Sequence, residues 1–110
     1  MKLVGRLARA EVDGGEHVRM TYPPFDVLVL KVEGEYRAIE DACNHAGASL
    51  TGGDVRGNCI LCPMHGYKFD LRTGALVAPR GLCDDQRVFV VKVVGDELEI
   101  WDPFEVVIHT

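Results

Sequence analysis

The sequence predicts an all-β protein of one domain, in which two β-hairpins flank a loop-rich insert. Three observations carry this expectation. β-Branched runs of strand length occur near both ends of the chain, short glycine-containing turns split two of them, and no stretch holds a helical period between start and stop signals. A chain of 110 residues fits one domain, because a chain of this size buries roughly two thirds of its unfolded surface and can fold alone.

The elements follow in order. Lys2 to Ala8 reads as a strand, and His17 to Tyr22 as another that ends at the Pro23-Pro24 turn. Val27 to Val32 is rich in valine and leucine. Glu33-Gly34-Glu35 can turn, and Tyr36 to Ile39 resumes the strand, which makes a hairpin. The design repeats near the C-terminus, where Val88 to Val94, a Gly95-Asp96 turn and Leu98 to Trp101 give a second hairpin. Between the hairpins, residues 43 to 87 hold seven of the twelve glycines and all four cysteines. Apolar runs are short there, at Asn58 to Leu61, Tyr67 to Leu71 and Ala75 to Ala78. An insert of this kind seldom orders itself on apolar burial alone, so a cross-link is expected within it.

Composition limits what that cross-link can be. The apolar fraction of 47% and charged fraction of 26% are ordinary for a soluble globular protein and favour neither a disordered chain nor a membrane span. A formal charge of -5 argues against a nucleic-acid partner, which would call for excess Lys and Arg, and suits basic docking patches on other proteins. The N-terminal run MKLVGRLARAEVDGG is broken by Lys2, Arg6, Arg9 and Glu11 and reads as neither a secretion signal nor a membrane helix. A cytoplasmic location is expected. Reducing surroundings disfavour disulfides and leave metal binding or redox chemistry as the use of the cysteines.

The candidate ligands fall into two mixed pairs. Cys43-Asn44-His45 sets a thiolate and an imidazole two positions apart; after sixteen intervening residues, Cys62-Pro63-Met64-His65 sets a second pair three apart. Gly47 and Gly66 follow the two pairs, with Gly52 and Gly53 beyond, and glycine lets a loop approach a bound group closely. A structural zinc module is the alternative on residue type alone, using Cys43, Cys59, Cys62 and either Cys83 or His65. Its spacing is poor, since Cys43 has no cysteine partner nearby and a zinc ribbon needs two knuckles of paired ligands.

The pattern C-x-H, sixteen residues, C-P-x-H-G, followed by YKFDLRTG, resembles the Rieske [2Fe-2S] proteins, above all the small soluble Rieske-type ferredoxins. The resemblance implies an antiparallel β-sandwich base domain, residues 1-42 and 88-110, with an inserted small cluster-binding subdomain over about 43-87. Pro79-Arg80-Gly81 would supply its covering loop. It further implies one [2Fe-2S] cluster, with Cys43 and Cys62 on one iron and His45 and His65 on the other. Two neutral imidazoles in place of two thiolates make the cluster less negative and raise its potential.

Two departures from the respiratory branch of that family matter. Its loop disulfide would need cysteines at Ala48 and Met64, and the hydroxyls it aims at the cluster fall at Tyr67 and Phe69, of which Phe69 has none. Fewer hydrogen bonds to sulfur stabilise the reduced state less, so a potential near the low end of the Rieske range is expected, about -150 mV rather than +300 mV.

The resemblance implies a one-electron carrier between an NAD(P)H-dependent flavoprotein reductase and a terminal Rieske oxygenase, with docking near His45 and His65 at the tips Ala46, Ala48, Met64 and Pro79. A small subunit or relative of assimilatory nitrite reductase is the alternative within electron transfer. Oxygenase catalysis itself would need a further mononuclear iron site. Only His17 and His109 remain as imidazoles, so the chain is expected not to be an enzyme.

The remaining residues have plainer expectations. Cys59 reads as a buried, unliganded thiol, and Cys83, beside Asp84 and Asp85, as unreactive. His17 and His109 read as solvent-facing, and Trp101 as packing. Arg72, Arg80, Arg87 and Asp54 read as solvated loop charges, while Asp70, Thr73 and Gly74 build a turn.

Overall fold

The computed structural model describes residues 1–23, 26–42, 49–63, 66–78 and 86–103. Among the described residues, ten strands and one short helix run in the order β1 (Lys2–Ala8), α1 (Arg9–Asp13), β2 (Val18–Met20), β3 (Val27–Val32), β4 (Glu35–Glu40), β5 (Val55–Arg56), β6 (Cys59–Leu61), β7 (Lys68–Asp70), β8 (Leu76–Ala78), β9 (Val88–Val94) and β10 (Glu97–Asp102). All pairings are antiparallel. They make a six-stranded sheet, β1-β10-β9-β4-β3-β2, and a four-stranded sheet, β5-β6-β7-β8.

Both hairpins form where the turn residues place them. Glu33 and Gly34 each take positive φ, 50° and 81°, the primed turn that matches the twist of β3 and β4. Gly95 takes φ 58° at the first position of the β9–β10 turn. The helix was not expected. Five residues are too few for a helical period to show, and it forms because the Glu11 carboxylate accepts from the Ala8 N–H at 2.9 Å while Val12 is fully buried.

The six-stranded sheet folds over on itself, which yields the sandwich. Leu7, Leu98 and Ile100 on one half pack in one core with Val27, Val29 and Ala38 on the other. The ends of the strand order also meet: a Cβ on Gly5 of β1 would lie 2.6 Å from Met20 Cε of β2. Tyr22, just beyond β2, donates to the buried Asp102 carboxylate of β10 and meets Phe89 edge to face with centroids 5.9 Å apart.

β3 explains how the four-stranded sheet is held. Its alternate residues Val27 and Val29 face the sandwich interior, whereas Leu28, Leu30 and Val32 face a second core shared with Ile39, Leu50, Ile60, Phe69 and Leu71. Burial on both faces is why β3 reads as an apolar run from Val27 to Leu30. No helix among the described residues is long and apolar enough to cross a membrane.

At the far end, α1 is tied down by a small polar cluster. Tyr36 Oη donates to Asp13 Oδ1 and accepts from Arg9 Nε at 3.2 Å, while Lys31 Nζ stands 5.2 Å from the tyrosine ring centroid. The Tyr36 hydroxyl, helped by Lys31, holds the Asp13 carboxyl below its ordinary value of 3.8 despite some desolvation. A carboxyl depressed in the folded state contributes stability above its unfolded value, and that contribution fades as pH falls through the folded value. Tyr36→Phe is therefore expected to be less stable than wild type at pH 6, and the gap should close well below pH 3.8. Urea denaturation of both proteins at pH 6 and at acid pH checks this, since acid damage common to both cancels in the difference. A gap that persisted or widened in acid would exclude the Asp13 bond as its source.

Candidate metal centre

Of the four predicted ligands, Cys62 is described; Cys43, His45 and His65 lie outside the described residues, as do Cys83, His109, Ala46, Ala48, Met64 and the Pro79-Arg80-Gly81 segment. Cys62 follows β6 directly and is 1% exposed. Its N–H donates to the Tyr67 carbonyl at 2.7 Å, and its own carbonyl accepts from the Gly66 N–H at 2.8 Å. Gly66 is at φ 67°, where a side chain would be strained. The chain thus leaves β6 at Cys62 and returns to β7 through a tightly closed loop.

Opposite stands the segment that leads into β5. The Gly53 N–H donates to Leu50 O at 2.9 Å, and the Leu61 N–H donates to Asp54 O at 2.8 Å. A Cβ on Gly53 would lie 2.2 Å from Leu61 O, so only glycine fits. Between the two segments opens a cavity of about 300 Å³, walled by Gly52, Gly53 and Asp54 on one side and by Leu61, Cys62, Pro63 and Gly66 on the other. Among the described residues, one buried thiol stands at a wall with three glycines, which suits a group that the chain must approach closely.

The zinc alternative loses its knuckle here. Cys62 shares the inner core with Ile60, whereas Cys59 lies at the odd position across from Asp70 on the outer face of β6. Two cysteines on opposite faces of one extended segment do not close on one ion. Cys59 was expected to be buried; it is half-buried and is not part of the inner core that holds Ile60 and Cys62.

The YKFDLRTG turn forms as expected. Asp70 accepts from the Arg72 backbone N–H at 2.8 Å and from its guanidinium at 3.1 Å, and these bonds hold its carboxyl below the ordinary value. The Gly74 N–H donates to Asp70 O at 2.7 Å. Gly74 has φ 79°, and a Cβ there would stand 1.9 Å from Gln86 O.

Sequence reasoning missed several polar residues that tie the insert to the base sheet. Gln86, 3% exposed, donates through Nε2 to Glu40 O at 3.1 Å and to Ala42 O, and through its backbone N–H to Gly74 O at 2.8 Å. Asp41, 4% exposed, gathers donors from residues 49 to 51. His17 was expected to face solvent away from the loops. It is half-buried instead, and its Nδ1 accepts from the Gly52 N–H at 3.2 Å, because β2 runs past the cavity wall. Arg87, expected to be a solvated charge, bonds the buried Glu40 carboxylate at 3.0 Å. The signal for Asp41 and Gln86 was a polar residue at the mouth of an apolar strand, which is too common to single out.

The chain belongs to the Rieske [2Fe-2S] domain family, whose model matches residues 4–82. Among relatives of known role, it is 35% identical over 98 residues to the ferredoxin component of biphenyl 2,3-dioxygenase from Rhodococcus jostii strain RHA1, covering 89% of this chain and 91% of that protein. Its structure is similar to the ferredoxin of carbazole 1,9a-dioxygenase from Nocardioides aromaticivorans IC177, with a TM-score of 0.79 at 27% identity over 92% of this chain and 98% of that one. It also matches a chain from the complex of reduced oxygenase and oxidized ferredoxin in carbazole 1,9a-dioxygenase, with a TM-score of 0.77 at 28% identity over 96% and 95% of the two chains. The cofactor is accordingly one Rieske-type [2Fe-2S] cluster, and the buried Cys62 thiol with its glycine wall fits that group.

Proposed function

We propose that the protein is the ferredoxin of a multicomponent dioxygenase system, a one-electron carrier that accepts from an NAD(P)H-dependent flavoprotein reductase and donates to a terminal Rieske oxygenase. The observation that carries this is the family match over residues 4–82 joined to the buried thiol in its cavity. Relatives named as ferredoxin components of dioxygenase systems support the oxygenase as partner.

When bound, the cluster supplies a one-electron redox step in which no bond to a substrate forms or breaks. The chain's residues do the rest. Cys62 and Cys43 hold one iron as thiolates, and His45 and His65 hold the other as imidazoles. The two histidines are the electron exit, and partners dock around them on the tips Ala46, Ala48, Met64 and Pro79. Small, quickly exchanging contacts suit a carrier that must meet two partners in turn. Residues 1-42 and 88-110 serve as the rigid base, and about 43-87 carry the cluster. A cytoplasmic location accords with a reductase that draws on NAD(P)H.

The test is an EPR spectrum of the dithionite-reduced protein with iron and acid-labile sulfide analysis, using His65→Cys as control. A Rieske-like average g value that moves in the control supports the reading. A colourless, iron-free protein, or a spectrum unchanged in the control, overturns it.

A further inference from the structure

The most heavily bonded side chain near the cavity is one that no cluster ligand set includes. Asp41 is the last acid before the first predicted pair, and its buried carboxylate receives five donors. Oδ1 accepts from the Leu50 N–H at 2.9 Å and the Thr51 N–H at 3.0 Å, Ser49 Oγ and Thr51 Oγ1 each lie 3.0 Å from it, and Oδ2 meets Arg19 Nε at 2.7 Å. An ionised carboxylate offers more acceptor sites than any other side chain, about four on its two oxygens, which the five donors share, and its burial is tolerated because a guanidinium neutralises the charge. The backbone on either side is fixed too. The Asp41 N–H donates to Asp26 O at 2.7 Å, and Ala42 O accepts from Gln86 Nε2.

The consequence lies in where these donors sit. Residues 41–42 are one end of the chain that carries Cys43 and His45, and residues 49–51 are the other. Residues 49–51 lie in no strand, so their N–H groups need an acceptor from elsewhere. Strand β2 and the residue before it brace both ends, through Arg19 on Asp41 and through His17 on Gly52, which itself walls the cavity.

We propose that Asp41 is a positioning residue for cluster binding: its carboxylate ties both stems of the Cys43–His45 segment to one point, so that this ligand pair is presented to Cys62 across the cavity without ordering the stems anew. The inference rests on the reading of Cys43 and His45 as ligands. The clamp acts through the main chain and makes no contact with the metal.

Asp41→Asn tests it, because the amide keeps the size and an Oδ1 acceptor but turns an N–H₂ against Arg19 Nε. The control is Glu40→Gln, which disturbs the neighbouring buried pair with Arg87 and touches none of residues 49–51. Both variants should fold, as judged by circular dichroism. Asp41→Asn is expected to bleach about 10-fold faster than Glu40→Gln in the presence of an iron chelator, the scale at which outer partners of metal ligands act. The EPR g values of its reduced form should shift while those of Glu40→Gln do not. Equal bleaching rates with unchanged g values would overturn the proposal. Should Asp41→Asn fail to fold, Thr51→Val decides on the same two readouts, since it removes one donor and keeps the backbone N–H. An iron-free wild-type protein would sink the cluster reading itself, which is a different result from a stable cluster in the variant.

Discussion

Replacing Phe69 with alanine is expected to cost about 3–5 kcal/mol, a large share of the roughly 5–15 kcal/mol that holds a domain of this kind together. Phe69 is fully buried, and it stands where the two sheets meet. It pairs with Ile60 across β6–β7 and shares its core with Leu28, Leu30 and Ile39 from the base and Leu50 and Leu71 from the insert. Neighbours from both sheets cannot collapse into the space without shifting β7 against β3, so the cavity stays largely open and its full penalty is felt. The melting midpoint should fall by roughly 15 °C or more, taking 4–8 °C per kcal/mol. Val94→Ala, at an exposed site on β9, should change it little. A loss under about 1 kcal/mol in urea denaturation would mean that the sheets are not joined through this ring.

That joint was only half legible in the sequence. The strands of both hairpins could be placed because β-branched runs and turn glycines act locally: Val27–Val32 and Val88–Val94 form over the expected residues, and Gly34 and Gly95 take the positive φ their turns require. What no local signal carries is the second face of β3. An apolar run says that both sides are covered and leaves open by what. The helix α1 escaped for a related reason, since its stability comes from burying Val12 and from the Tyr36–Asp13 contact across the fold and not from its five residues alone.

The site divides along the same line. Cys62 could be found because a thiolate and an imidazole at fixed spacing beside glycine form a rare pattern. Asp41, Gln86 and His17 could not, because each depends on main-chain partners: Leu50 and Thr51 for Asp41 beside its side-chain donors, Ala42 and Gly74 for Gln86, and Gly52 for His17. Main-chain groups leave no trace in residue identity. Ligands are written in the sequence, and what holds their loops in place is written in the backbone path.

Cys62→Ala is expected to abolish stable iron binding, whereas Cys59→Ala should leave iron content, colour and EPR spectrum as in the wild type. The contrast follows from the two faces of β6. Cys62 turns inward with Ile60 and walls the cavity, and Cys59 turns outward opposite Asp70. On the proposed ligand set, a methyl group at position 62 would remove one of the four side chains that hold the cluster, while the Cys62–Tyr67 and Gly66–Cys62 backbone hydrogen bonds would remain. The other described thiol, Cys59, is not among the residues that wall the cavity and so is not placed to substitute for it. The base sheet should survive, since the core of Leu7, Val29, Leu98 and Ile100 does not include Cys62. Iron and labile sulfide per chain, read beside far-UV circular dichroism, separate loss of the cluster from loss of the fold. Were Cys59→Ala to lose its metal as fully as Cys62→Ala, the paired-cysteine zinc arrangement would return and the inward and outward assignment of the two thiols would be wrong.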